Sequence, residues 1–163
     1  MSIAPVRCSM SVKAPPARAF EFFARDIGRW WPKDKTIGAS PPEEIVMEPR
    51  AGGRWFERAQ DGTETAWGKV LAWEPPARLV LAWQIDASWK PDPNFQTEVE
   101  VVFRPEGTGT LVTLEHRNLE RFGDSAEKIK TQISGGWPAI LNRYSGFSAK
   151  HASDPSHSEK EKV

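Results

Sequence analysis

The feature that most restricts this chain is a change of period. Between positions 45 and 117 apolar residues recur at every second position, and turn signals interrupt them at Ala51-Gly52-Gly53, Asp61-Gly62, Pro75-Pro76, 91–94 and 106–109. Beyond His116 the apolar positions Ile129, Ile133, Trp137, Leu141 and Tyr144 stand three or four residues apart. A period of two belongs to a strand with one buried face, and a period near 3.6 to an amphipathic helix. The expected class is therefore α+β, a run of antiparallel strands followed by one long helix.

Six strands are predicted near 45–48, 54–59, 64–74, 79–85, 96–104 and 110–117. A seventh precedes them at 6–13, where Val6, Cys8, Met10 and Val12 alternate with polar neighbours. Within the later strands Leu79, Leu81, Trp83 and Ile85 share one face, as do Thr97, Val99, Val101 and Phe103, so one side of the sheet should be dry and the other wet. Two short helices follow the first strand. The first starts at a proline, places Phe20, Phe23 and Ile27 on its inner side and ends at Gly28; the second carries Trp30 and Trp31. In the long helix Asp124 or Ser125 can cap the start, while Gly135-Gly136 and Pro138 predict a bend or break near Ser134. Residues 1–149 read as one domain and 150–163 as a disordered polar tail.

A chain of 163 residues buries enough surface to stabilise a single core without disulfides. Lys+Arg and Asp+Glu both number 22, so no net field favours nucleic acid as a partner. Cys8 is the only cysteine, which excludes an intramolecular disulfide and suits a reducing compartment. The start of the chain lacks the charge and apolar run of a signal peptide, and no stretch reaches the ~20 apolar residues of a membrane span. A cytoplasmic protein without membrane insertion is expected. There is no Gly-x-Ser-x-Gly, phosphate-binding loop, dinucleotide fingerprint or paired His or Cys spacing, so neither a metal nor another cofactor is expected. Eight tryptophans and eight phenylalanines accompany a single tyrosine. Packing so much aromatic area densely around one small core is demanding, and part of it should line a cavity or a surface patch.

Several stretches together resemble the Hsp90-ATPase-activator homologue (AHSA1-like) family of the START-like, or SRPBCC, superfamily. They are Val12-Lys13-Ala14-Pro15 with Ala19-Phe20-Glu21-Phe22-Phe23, Ile27-Gly28-Arg29-Trp30-Trp31-Pro32, Gly52-Gly53-Arg54-Trp55-Phe56-Glu57-Arg58, the run 67–80, Val112-Thr113-Leu114-Glu115-His116-Arg117 and Gly135-Gly136-Trp137. The resemblance implies the helix-grip fold, in which a seven-stranded curved antiparallel sheet holds a long C-terminal helix and leaves an elongated cavity. It does not imply one activity, because relatives in the superfamily bind lipids, hormones or polyketides and a minority are cyclases or aromatases.

The gap between sheet and helix is the candidate site. Its candidate lining is Phe23 from the first short helix, Trp55, Glu57, Trp67, Leu81, Trp83, Val101, Phe103 and His116 from the sheet, and Trp137, Leu141 and Tyr144 from the long helix. Trp30 and Trp31 fall where the superfamily has its cavity mouth. The tryptophans, with Trp73 among them, can form a slot for a flat apolar ligand or simply pack the core. His116 can reach a ligand or be a core histidine satisfied by a carbonyl or an acid, and Glu57 can face the cavity or pair with Arg54, Arg58 or Arg78. Thr97, Thr110 and Tyr144 offer hydroxyl anchors. Three functions stay open: a binding protein for a hydrophobic small molecule (lipid, polyketide or other aromatic compound); a chaperone or stress-response partner using an exposed Trp30–Trp31 surface, as monomer or dimer; and a cyclase-like enzyme using His116 or Glu57 as acid or base. No residue is assigned a catalytic role from sequence alone.

Overall fold

The computed structural model describes residues 3–153. The period-two segments form strands β1 (Val6–Val12), β2 (Pro42–Met47), β3 (Arg54–Ala59), β4 (Glu64–Glu74), β5 (Arg78–Trp83), β6 (Thr97–Glu106) and β7 (Gly109–Arg117). They make one sheet in the order β1-β7-β6-β5-β4-β3-β2, with every neighbouring pair antiparallel. The helices are α1 (Pro16–Ala24), α2 (Ile27–Trp30) and α3 (Ala126–His151), the last entered through a 3₁₀ segment, Leu119–Ser125. The strands β1 and β2 follow each other in sequence yet lie at opposite edges, so the chain between them must cross from edge to edge. The helices α1 and α2 sit in that crossing and pack against α3. This is the helix-grip arrangement.

The sheet curls because β4 carries two bulges. Trp55 pairs with Gly68 and Phe56 with Ala66, which leaves Trp67 as an extra residue; Val70 pairs with Leu81 and Ala72 with Val80, which leaves Leu71. A bulge raises the local twist and re-aims the residue it inserts. Trp67 and Gly68 are consequently both buried although adjacent. At Gly68 the partner strand comes so close that a Cβ would lie 1.7 Å from the Ala82 carbonyl oxygen.

Strict alternation holds in β6 and β7, whose Val99, Val101, Phe103, Val112 and Leu114 are buried while Glu98, Glu100 and Glu115 face outward and meet Arg117. It fails in β5, where Val80 and Ala82 on the outer side are buried too. As the central strand of seven, β5 sets these small side chains between Glu98 and Glu100 on one neighbour and Lys69 on the other, and the longer chains overlie them.

Three further expectations are corrected. The long helix is continuous across Gly135-Gly136 and Pro138, which removes the break of the two outcomes expected there. Proline removes only the bond to the Ser134 carbonyl, whereas the burial of Ile129, Ile133, Trp137, Ile140, Leu141 and Tyr144 holds the axis on both sides. The α1 helix stops at Ala24, and Gly28 lies inside α2, where a Cβ would meet the Ile45 carbonyl oxygen at 2.6 Å. The tail does not begin at 150, since α3 runs to His151; the rest of the expected polar tail lies outside the described residues. No helix of the described chain is long and apolar enough to cross a membrane.

The close approach at Gly68 gives a direct check. Gly68→Ala is expected to cost about 3 kcal/mol or more, because the methyl must displace backbone rather than a flexible side chain. A denaturation curve indistinguishable from wild type would contradict it.

Candidate ligand-binding cleft

A cleft of about 540 Å³ opens between α3 and the curled sheet. Its floor comes from Trp67 in the β4 bulge and Trp83 at the end of β5. The α3 wall presents Gln132, Ile133, Gly136, Trp137 and Ile140, positions that share one helical face. Trp31 and the segment Asp34, Lys35, Thr36 and Ile37 close one side, and Ile85 and Trp89 the other.

The indoles of this cleft run in one unbroken series. Ring centroids are 5.0 Å apart for Trp67 and Trp31, 6.0 Å for Trp31 and Trp137, 5.9 Å for Trp137 and Trp83, and 6.3 Å for Trp83 and Trp89. Interplanar angles lie between 55° and 86°, so neighbouring rings meet tilted or edge to face and no pair is stacked in parallel. The indole N–H of each of the four buried members is satisfied within the protein: Trp67 by Glu57 Oε1 at 2.9 Å and Trp137 by His116 Nδ1 at 3.2 Å, both behind the wall, and Trp31 by the Lys35 carbonyl at 2.9 Å and Trp83 by the Ile85 carbonyl at 3.1 Å, both on residues of the wall itself. What remains toward the cleft is carbon surface.

His116 stands behind this wall, fully buried. An indole N–H can only donate, so Nδ1 is the bare nitrogen; Nε2 carries the proton and donates to Thr97 Oγ1 at 2.8 Å. Burial pushes the imidazole pKa down to about 3, and the ring is neutral through the physiological range. Its partners are thus an indole and a hydroxyl rather than a carbonyl or an acid. Glu57 is also buried and pairs with none of the three arginines considered for it. Arg54 and Arg58 go to Glu48, Glu44 and Glu64, and Arg78 to Glu100 and Glu74. Glu57 Oε1 instead accepts the backbone N–H groups of Ile37 (2.7 Å) and Gly38 (2.9 Å) together with the Trp67 indole. The carboxylate therefore ties the 34–37 wall to the floor of the cleft.

Of the candidate lining residues, Trp31, Trp67, Trp83 and Trp137 border the cleft. Trp55 forms a buried second row, 5.5 Å from Trp67 and 6.1 Å from Trp83. Phe23, Trp30, Phe103 and Tyr144 join an aromatic cluster against α1 that meets the cleft indoles where Trp30 touches Trp31, at 6.0 Å, and Leu81, Val101 and Leu141 fill the core beside it. Trp73 packs edge-on to Phe20, away from the opening. The hydroxyl anchors are taken internally, Thr110 by the Ala14 carbonyl and Tyr144 by the Ala19 carbonyl, both at 2.7 Å. Trp30 and Trp31 are only 2% and 3% exposed, so the aromatic surface that a chaperone partner was expected to use there is absent. Absent from the candidate lining are Asp34, Lys35, Thr36, Ile37, Ile85, Trp89, Gln132, Ile133, Gly136 and Ile140. Ile133 was read from helical spacing and Ile140, three after Trp137, fits the same spacing; Trp89 sat between the strand predicted at 79–85 and the turn signal at 91–94, in a stretch given no element.

A curled sheet gripping a long helix, with a largely apolar cleft open between them, defines a START-like protein. The chain belongs to the family described as activator of Hsp90 ATPase homolog 1-like protein, whose model matches residues 13–144. Among solved structures it is similar to an anthrahydroquino-γ-pyrone synthase in complex with SUM, at 38% identity over 89% of this chain and 97% of that one, with a TM-score of 0.62. It is also similar to the self-sacrificing resistance protein CalC from Micromonospora echinospora, at 29% identity over 93% and 98% of the two chains, TM-score 0.69. The Aha1 dimer from Colwellia psychrerythraea shares the fold at 17% identity over 90% and 96%, TM-score 0.60. No curated protein sequence matches significantly.

The buried imidazole makes stability depend on pH. The unfolded chain takes a proton at His116 near 6.5 and the folded chain only near 3, so stability is complete above 6.5 and falls as pH falls between those values. The loss between pH 7 and 5 is expected to be about 2 kcal/mol. His116→Gln, neutral throughout, should be less stable at pH 7 yet show a flatter profile over that interval. An unchanged slope in chemical denaturation would contradict the assignment.

Proposed function

We propose that this chain binds a hydrophobic, aromatic small molecule of the polyketide kind in the cleft between α3 and the sheet. The observation that carries this reading is the series of five non-parallel indoles along the cleft, whose buried members have their N–H groups satisfied by the protein itself. Such rings are rigid and meet a ligand at little conformational cost, Trp89 offering the exposed face and the buried four a narrow strip each, and the cleft volume falls within the range of small-molecule sites. The name of the 38%-identical relative, a synthase of an anthrahydroquino-γ-pyrone, supports the ligand class. Asp34, Lys35, Thr36 and Gln132 are the polar groups at the opening and would orient substituents on the ring system.

The same relative favours a second reading, cyclisation of such a molecule within the cleft. In that case His116 is not its acid or base, because it is buried behind the indoles with both ring nitrogens bonded to the protein; Glu57 is buried as well, its Oε1 held by Ile37, Gly38 and Trp67 and its Oε2 without a hydrogen-bond partner among the described residues. Proton transfer would fall to Asp34 or Lys35, the titratable groups that border the cleft.

The paired glycines of α3 supply a matched test. Gly136 borders the cleft, and a Cβ there meets nothing within 4 Å; Gly135 does not border it and is equally uncrowded. An aromatic polyketide present at a hundredfold its Kd should stabilise the wild type by about 2.7 kcal/mol. Gly136→Leu should abolish that stabilisation by projecting into the cleft, while Gly135→Ala should keep it and strengthen the helix by up to about 1 kcal/mol. Full ligand stabilisation of Gly136→Leu, or none of the wild type across a polyketide and flavonoid panel, would remove the proposal.

A further inference from the structure

Trp89 is the exposed large apolar side chain of the described residues, at 36%, and it is held in a backbone conformation that disfavours it. Its φ is 60°, in the left-handed region where a bulky side chain crowds its own backbone and glycine or asparagine sits without strain. The turn that holds it is tightly bonded. The Trp89 N–H donates to the Asp86 carbonyl at 3.0 Å and the Asp86 N–H to the Lys90 carbonyl at 2.9 Å. The Asp86 carboxylate accepts from the N–H groups of Ser88 (2.9 Å) and Lys90 (3.1 Å), and an isolated bridge joins Ile85 to Pro91 below. Nothing in this turn requires an indole. A strained residue fixed by its surroundings at the rim of a cleft points to a task there.

The direction of the ring indicates the task. Trp89 borders the cleft and meets Trp83 at 77°, so the two planes form a near-perpendicular corner. A flat ring laid against the Trp89 face is automatically edge-on to Trp83, which makes one offset-stacked and one edge-to-face contact, the two arrangements aromatic rings prefer. An alkyl chain in the same corner gains contact area but neither ring geometry. From this arrangement, and resting on the binding reading above, we infer that Trp89 is a preset stacking wall that selects a flat fused-ring ligand over an aliphatic one.

The test is calorimetric titration of the full chain with the hydroxyanthraquinone alizarin and with laurate, using wild type, Trp89→Phe, Trp89→Leu and Trp89→Gly. Glycine suits the φ of this turn, and wild-type-like amide shifts of Ser88 and Lys90 would verify that the turn persists. The wild type should prefer alizarin to laurate. Trp89→Phe should keep alizarin affinity near that of wild type, whereas Leu and Gly should weaken it about 2- to 10-fold. Alizarin affinity for Trp89→Leu equal to that for Trp89→Phe overturns the inference, since apolar bulk would then suffice. Alizarin binding unaffected across the series leaves the binding reading standing and removes this one alone. A wild type that takes up neither probe overturns both.

Discussion

The hydrogen-bonded relay from Trp137 through His116 to Thr97 fixes the helix on the sheet, and the cleft depends on it. It joins α3 to β7 and β6 through three side chains that are each almost fully buried. Its geometry permits one tautomer only, with the imidazole neutral. An apolar helix face alone could slide or rotate on an apolar sheet at small cost, while a buried relay fails if any member moves, because the group left behind has no water to turn to. Once Trp137 is set, Gln132, Ile133, Gly136 and Ile140 take their places along the cleft wall, and Tyr144, about one turn beyond Ile140, reaches the Ala19 carbonyl.

A second constraint works from the opposite wall. The loop that follows α2 has no regular structure of its own between Trp31 and β2, and its position comes from Glu57, which collects two of its N–H groups and the Trp67 indole on a single oxygen. Relay and carboxylate thus serve the same end from two sides. Each is a polar group that sequence alone makes attractive as a catalyst, and each holds an indole in place, His116 through both ring nitrogens and Glu57 through Oε1. The chemistry of the cleft is left to carbon faces and to the few polar residues at its rim.

The fold was largely legible because alternation is a local property. Strand number, the identity of the buried face in β6 and β7 and the long helix all follow from spacing along the chain. What failed was whatever depends on two distant segments meeting. Trp67 is aimed by a bulge, which the alternation of β4 does not reveal. The break expected in α3 is overridden by packing on both sides of Pro138. Glu57 was matched to arginines on its own and nearby strands, yet its partners lie in a loop some twenty positions earlier. Among the candidate residues, the tryptophans of the sheet and helix were drawn toward the right place by their face. The core positions Phe23, Leu81, Val101, Phe103, Leu141 and Tyr144 share that face and cannot be separated from cleft positions by period alone, because depth beneath the helix has no signature in spacing.

The central claim is that the indole series is a ligand surface rather than surplus core. Its most direct measurement is the indole N–H region of a heteronuclear NMR spectrum during titration with an aromatic polyketide, where each of the eight tryptophans gives its own signal. Shifts concentrated on Trp31, Trp67, Trp83, Trp89 and Trp137, with Trp73 unmoved beside Phe20, are the predicted result. Binding that shifts Trp73 while those five stay still, or saturating ligand that moves none of them, would contradict the account.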